Sequence, residues 1–315
     1  MVAIEILIGL IFLALGGDLL VRGAVTVAQH LRVSPLLIGL TLVGFGTSTP
    51  ELVTSLEAAL RGAPGIAVGN VVGSNIANIL LILGLSAAVL PFAVDRKAFR
   101  RDGLVLIIAA LAAAAVILFG RIDRLSGLLL VTALIVYVVF TFLSERRRPA
   151  LAGNVPKLED TSAPRIGLML AIGLTVIGLV LTIFGARLLV SGAVALASLA
   201  GVSETIIGLT IVAVGTSLPE LITSIAAAWR RQADVAFGNI VGSNIYNIFG
   251  ILGVSAIVTP IDVPAEIAGF DLWVLLGVTA LLVVFATTGR RVSRWEGAIM
   301  LTAYVAYVSA LVAGS

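Results

Sequence analysis

GLTLVGFGTSTPELVTSLEAAL (Gly39–Leu60) is followed 169 residues later, without a gap, by GLTIVAVGTSLPELITSIAAAW (Gly208–Trp229). A second pair keeps the same offset: GNVVGSNIANILLILG (Gly69–Gly84) and GNIVGSNIYNIFGILG (Gly238–Gly253). Most positions within each pair are identical, so the chain is a duplication in which residue n corresponds to residue n + 169.

The 315 residues are 60% hydrophobic and 12% charged, with a mean hydropathy of +1.17. That is the composition of a chain embedded in lipid. Apolar runs such as Gly103–Phe119, Gly127–Leu143, Gly167–Phe184, Leu272–Ala286 and Ala298–Ala313 approach the roughly 20 residues that a helix needs to cross a bilayer. Cutting at charged residues and Pro or Gly gives about ten spans, near 2–28, 36–60, 66–90, 103–119, 125–143, 166–198, 205–229, 235–259, 272–288 and 296–313. The polar stretch SERRRPALAGNVPKLEDTSAPR (Ser144–Arg165) reads as a linker between a first repeat, 1–143, and a second, 166–315. With about five spans in each half, the second copy must enter the membrane in the opposite sense. The expected fold is an all-α membrane protein of about ten transmembrane helices in two inverted-topology five-helix repeats, with substrate sites at the repeat interface.

Loop charges suggest the orientation, because Lys and Arg gather on the cytoplasmic side. One set of alternate loops holds Arg32, then Arg96, Lys97, Arg100 and Arg101, then Arg146, Arg147, Arg148, Lys157 and Arg165, then Arg230 and Arg231, then Arg290, Arg291 and Arg294. The other set holds Arg61, Arg121 and Arg124, and its late loop carries Asp262, Glu266 and Asp271. Both termini are then expected outside, with the linker in the cytoplasm. The net charge of +3 is read as orientation, with no nucleic-acid partner implied. The N-terminus has no basic n-region and reads as a retained first helix. Trp229, Trp273 and Trp295 fall near span ends, as interface anchors do.

The absence of cysteine excludes disulfides and thiolate metal sites. The single histidine, His30, reads as a loop residue closing the first helix. What remains is oxygen chemistry. In the first motif Gly44, Gly46 and Pro50 interrupt an apolar span, and Pro50, lacking an N–H, frees a carbonyl one turn earlier, near Gly46. Such carbonyls persist at membrane depth only where protein, water or an ion satisfies them. Thr47 and Ser48 stand four and three residues before Glu51, a spacing that puts hydroxyl and carboxylate oxygens on one helical face. Thr216, Ser217 and Glu220 repeat the set. Ser74 and Asn78 are also four apart, as are Ser243 and Asn247. Carboxylate, hydroxyl, amide and carbonyl oxygens are the ligands of a hard cation, Na⁺ or Ca²⁺ rather than zinc or copper. Each carboxylate at bilayer depth costs roughly 2.5–3.5 kcal/mol, and the cost is met twice in register.

Three other sets break or leave the pattern. Asn75 and Asn244 lie off the Ser/Asn face, with packing and ligation both open. Glu57 corresponds to Ala226 and reads as solvated. Asp18 and Arg22 are spaced to pair within the first helix, while their counterparts are Arg187 and Ser191, which assigns them to structure or gating.

With these motifs the chain resembles the cation/calcium antiporter superfamily, in its prokaryotic sodium/calcium exchanger branch, over essentially its whole length. The paired GTS-x-PE and GN-x-x-GSN-x-x-N segments carry the resemblance. It implies a cluster of sites for Na⁺ and Ca²⁺ at the centre of an inner-membrane antiporter, with no cofactor and no obligate protein partner. Glu51 and Glu220 would be shared carboxylates of the Ca²⁺ site, and Thr47, Thr216, Ser48 and Ser217 its hydroxyl shell. Ser74 and Ser243 would complete flanking Na⁺ sites, Asn78 and Asn247 would close the middle, and the carbonyls of Gly44 and Ala213 would also bind Na⁺. Some members carry Asp where this chain has Asn247, so the formal charge here comes from the two glutamates alone. H⁺ or K⁺ coupling and a passive cation channel stay open at this point. An enzyme is not expected, because no nucleophile and base pair or cofactor motif is present.

Overall fold

The structure, a computed structural model, describes residues 2–31, 33–93, 96–147, 166–199, 213–288 and 291–314. Residues 148–165 of the expected linker, the start of the span expected from 205, and Arg32, Arg148, Lys157, Arg165 and Arg290 lie outside the described residues.

The chain runs as helices: α1 (Val2–Leu31), α2 (Pro35–Thr47), α3 (Thr49–Leu60), α4 (Pro64–Val89), α5 (Arg96–Leu118), α6 (Arg124–Arg147), α7 (Leu168–Leu199), α8 (Ala213–Thr216), α9 (Leu218–Trp229), α10 (Ala233–Val258), α11 (Ile267–Thr288) and α12 (Arg294–Gly314). Seven of these are long and apolar enough to cross a membrane, and α2 with α3 forms an eighth, bent by 45°. The boundaries repeat with the sequence. Thr49–Leu60 and Leu218–Trp229, like Pro64–Val89 and Ala233–Val258, are offset by the same 169 residues.

Two short ladders add strand to the expected all-helical fold. β1 (Phe92–Ala93) pairs antiparallel with β4 (Arg291–Val292), and β2 (Arg121–Ile122) with β3 (Ile261–Asp262). Each tie joins a loop of one half to a loop of the other, and backbone groups at helix ends find partners there that lipid would not supply. Nothing in the alternation of two residues could have signalled them.

Helix starts follow their caps. Ser34 accepts from Leu37 N at 3.2 Å, ahead of Pro35. Ser293 and Glu296 form a capping box at α12, with Ser293 N donating to Glu296 Oε2 at 2.6 Å and Glu296 N to Ser293 Oγ at 3.3 Å. At α6, Ser126 N donates to Asp123 Oδ1 at 2.7 Å, and this bond holds the exposed carboxyl below its ordinary range.

α4 and α10 are the most enclosed helices, while α6 turns Leu125, Leu128, Leu129, Val136 and Phe140 outward. Lipid-facing helices are apolar outside, and polar groups turn in. α1 and α7 run antiparallel along a seam of small residues. Gly9 meets Gly185 and Leu189, Gly16 meets Gly178 and Thr182, and Gly23 meets Ala171 and Thr175. The seven-residue spacing keeps glycines on one face and lets the backbones approach closely, the main source of helix association in lipid. Thr175 and Thr182 are buried there, and each hydroxyl donates to the carbonyl four residues back at 2.8 Å.

A Cβ on Gly16 would stand 2.6 Å from Thr182 N and 2.9 Å from Gly178 O, whereas one on Gly173 would meet nothing within 4 Å. Gly16→Ala should therefore destabilise the detergent-solubilised protein by about 1–3 kcal/mol. Gly173→Ala should leave its melting temperature equal or slightly raised. Thermal unfolding followed by size-exclusion chromatography reads both.

Candidate functional site

The bend between α2 and α3 falls at Ser48 (φ −80°, ψ 11°), and its counterpart Ser217 has nearly the same backbone (φ −90°, ψ 7°). Pro50 and Pro219 sit at the start of the helices that follow, where a missing N–H leaves no bond unmade. Glu51 and Glu220 therefore occupy first helical turns, where free N–H groups favour a carboxylate. Both side chains are buried, 1% and 0% exposed.

The break changes what the hydroxyls do. Spacing alone set Thr47, Ser48 and Glu51 on one continuous helical face, but the helix stops between them. Thr47 Oγ1 instead donates to Val43 O at 3.0 Å and lies 3.2 Å from Asn239 Oδ1. Ser48 Oγ donates across the repeat to Glu220 Oε1 at 2.6 Å, and Ser217 Oγ donates to Glu51 Oε1 at 3.3 Å. Each carboxylate is thus bonded by the serine of the other copy. The second oxygens, Glu51 Oε2 and Glu220 Oε2, are buried with no hydrogen-bond partner among the described residues.

Ser243 Oγ donates to Gly44 O at 3.2 Å, bringing two of the expected oxygens together from opposite halves. Ser74, Asn78 and Asn247 are buried, and among the described residues Asn78 Oδ1 and both polar atoms of Asn247 have no partner. Asn78 and Asn247 each open a π-helical stretch, Asn78–Leu83 and Asn247–Leu252, a widening that recurs at functional sites. Thr216 is half-buried at the end of α8, and Ala213 begins that helix. Asn75 and Asn244 turn their amides back to Val71 O (2.7 Å) and Ile240 O (3.0 Å), leaving their Oδ1 atoms unpartnered. Glu57 lies exposed at the far end of α3, paired with Arg61, and His30 belongs to the last turn of α1, with Nδ1 3.0 Å from Thr26 O.

Four residues that the spacing argument passed over hold the glutamates in place. Asn70 Nδ2 donates to Glu51 O at 3.1 Å and to Ser55 Oγ at 2.8 Å. Asn239 Nδ2 repeats this with Glu220 O at 3.2 Å and Ser224 Oγ at 2.9 Å. Their signal was available, since both Asn–Ser pairs recur in register within the duplicated strings. One contact between residues that adjoin Gly44 and Asn247 in sequence is not duplicated. Phe45 stacks on Tyr246 with centroids 4.5 Å apart, and the corresponding residues are Val214 and Ala77.

The donors are oxygen throughout: two carboxylates, hydroxyls, amides and a carbonyl. Among the described residues no three His, Cys, Asp or Glu side chains gather into a metal cluster. Two negative charges amid neutral oxygens suit an exchangeable hard cation better than a resident transition metal.

A family described as sodium/calcium exchanger protein matches residues 2–143 and 170–313. The chain is 38% identical to the putative antiporter CaxA of Alkalimonas amylolytica, with 96% of each covered. It is 35% identical to the sodium/calcium exchanger MaX1 of Methanosarcina acetivorans, with 97% of each covered. Among solved structures it is similar to the sodium-calcium exchanger NCX_Mj soaked with 2.5 mM Na⁺ and 0.1 mM Ca²⁺, with a TM-score of 0.85, 34% identity and 98% of both chains covered.

The Asn–carbonyl bonds generate a test. Asn239→Ala should lower Ca²⁺ affinity about tenfold or more, the range seen when groups behind a metal ligand are removed. Half-buried Asn70→Ala should give the smaller loss. Calcium-dependent thermal stabilisation measures both, and unchanged affinity would deny these amides a positioning role.

Proposed function

The chain belongs to the sodium/calcium exchanger family, and from that premise we propose that it is a membrane antiporter exchanging Ca²⁺ for Na⁺ by alternating access. The observation that carries the reading is the crossed pair of bonds, Ser48 to Glu220 and Ser217 to Glu51, each leaving one buried carboxylate oxygen free. Those oxygens, one from each copy, would hold Ca²⁺. Asn78 and Asn247 would supply amide oxygens at the middle, Thr47, Thr216, Ser48 and Ser217 would form the hydroxyl shell, and Ser74, Ser243 and the carbonyls of Gly44 and Ala213 would serve the flanking Na⁺ positions.

The architecture that accompanies this reading has about ten spans in two inverted five-helix repeats. Residues 1–143 and 166–315 form the halves, 144–165 link them in the cytoplasm, and both termini lie outside. The antiparallel packing of α1 on α7, its own counterpart, supports inversion. So do the two ladders, in which the first-half strands pair with the second-half strands in exchanged order.

Coupling follows from charge. Two carboxylates left bare in a closed passage are costly, because transfer of an ionised group from water without compensation is opposed by several kcal/mol. Either one Ca²⁺ or two Na⁺ balances their formal charge. Only loaded forms then cross readily between the two access states, so the movement of one ion is linked to the return of the other by the differential stability of those states. The lipid bilayer and the two ions are the partners this mechanism requires.

In proteoliposomes, Glu51→Gln or Glu220→Gln should reduce Na⁺-gradient-driven ⁴⁵Ca²⁺ uptake to that of empty vesicles. Near-normal exchange in either variant would sink the shared-carboxylate mechanism. Uptake in the parent that follows a proton gradient with Na⁺ absent would reassign the counter-ion.

A further inference from the structure

Two departures from the repeat surround one feature that it keeps. Asp18 on α1 corresponds to Arg187 on α7. Glu57 on α3 corresponds to Ala226 on α9. Arg61 and Arg230, which end α3 and α9, correspond to each other. What the repeat keeps is a cation at the helix end, while the acid of one copy is replaced by alanine at one position and by arginine at the other.

At the Arg230 end, Nε of Arg230 donates to Asp18 Oδ1 at 2.6 Å, its second guanidinium nitrogen meets the same oxygen, and Arg22 Nε reaches Asp18 Oδ2 at 2.9 Å. The position one turn before Arg230 is Ala226, so its guanidinium finds no acid one turn back in α9 and reaches across to α1. Contact between the helices is close there, since a Cβ on Gly17 would stand 2.9 Å from Ile222 Cγ2 and 3.4 Å from Ala226 Cβ. At the other end Arg61 is already paired with Glu57, one turn back in its own helix, and both are exposed. Arg187 is exposed, with no acidic partner among the described residues. No comparable packing of α7 on α3 occurs among the described residues.

Resting on the alternating-access reading above, we infer that Asp18 and Arg230 are positioning residues that latch α1 onto α9 and close one end of the passage. The mirror-related closure lacks this latch and sets Arg187 toward Arg61. The two access states are therefore unequal in electrostatic stability, and the chain rests with the Arg230 end closed. A guanidinium bonded through two nitrogens to one carboxylate, with Arg22 on its other oxygen, has more directional hold than an isolated surface pair. Its part exposure keeps it weak enough to open. An ion that completes the site shifts a two-state equilibrium only by its differential affinity, so a modest latch sets the resting state without blocking turnover.

The test needs no flux measurement, and so fails or succeeds separately from the transport reading. Because the chain contains no cysteine, Ala226→Cys places a single thiol under Gly17, and its maleimide labelling rate in purified protein reports whether α1 covers it. Asp18→Asn or Arg230→Gln should speed labelling about threefold to fivefold, as loss of a half-exposed ion pair would. The exchanged pair Asp18→Arg with Arg230→Asp should restore slow labelling, which a merely structural role would not. Arg187→Asp, which leaves the latch intact and offers Arg61 an acid at the mirror end, should also speed labelling. Unchanged labelling in Asp18→Asn, or no restoration in the exchanged pair, overturns the latch. Unchanged labelling in Arg187→Asp overturns the inequality of the two ends.

Discussion

Two carboxylates lie buried in the centre of a chain made for lipid, and the rest of the structure follows from keeping them there. A lone glutamate at that depth would cost more than its helix gains. Here each takes a hydroxyl hydrogen bond from the opposite copy and sits at a helix start, where backbone N–H groups face it. That requirement fixes the bends at Ser48 and Ser217, because an unbroken helix would carry each serine past its own glutamate instead of across to the other. It also explains the prolines, which begin α3 and α9 where a donor is not needed. The enclosure of α4 and α10 follows too, since their asparagines bind the glutamates' own carbonyls.

Composition and the offset of 169 residues made the membrane class and the duplication legible, and the donor types made a hard-cation site legible. Glu51, Glu220, Ser48 and Ser217 were visible because charge at bilayer depth is rare and here occurs twice. Their partners were not, since i to i+4 spacing speaks only for a continuous helix and this one ends at Ser48. Asn70 and Asn239 showed only in their repetition in register, because their bonds go to backbone carbonyls on another helix and side-chain spacing carries no record of that. The pairing of Asp18 with Arg22 lay within one helix and could be read from spacing. Its stronger partner, Arg230, lies 212 residues away in sequence and had no local signature. The two-residue strands are too short for alternation to register.

Symmetry in this fold is a matter of backbone more than of surface. Buried positions that must satisfy ions or backbone groups are repeated: Asn with Asn, Ser with Ser, Pro with Pro. Departures gather at the margins, where Phe45 and Tyr246 stand against Val214 and Ala77, and where Asp18 stands against Arg187. Two tyrosine–aspartate contacts, the first buried and the second part-buried, show both tendencies. Tyr137 donates to Asp102 at 3.2 Å and Tyr307 to Asp271 at 2.8 Å, yet only the first aspartate is also gripped by an arginine, Arg101. An exchange cycle needs both halves to form one site, but it does not need them to be equal at the two exits.

The crossing of the serine–glutamate bonds has a bearing on ancestry. One half alone carries an acid without the hydroxyl that bonds it, and a glycine seam without the helix that fills it. A polypeptide of half the length would complete neither feature except by meeting a second copy of itself, turned end for end. Along that seam the molecule packs two copies of its own first helix antiparallel within one chain. Fusion freed each copy to diverge at Asp18, Glu57 and Tyr246, changes that two identical subunits would have had to accept on both sides at once.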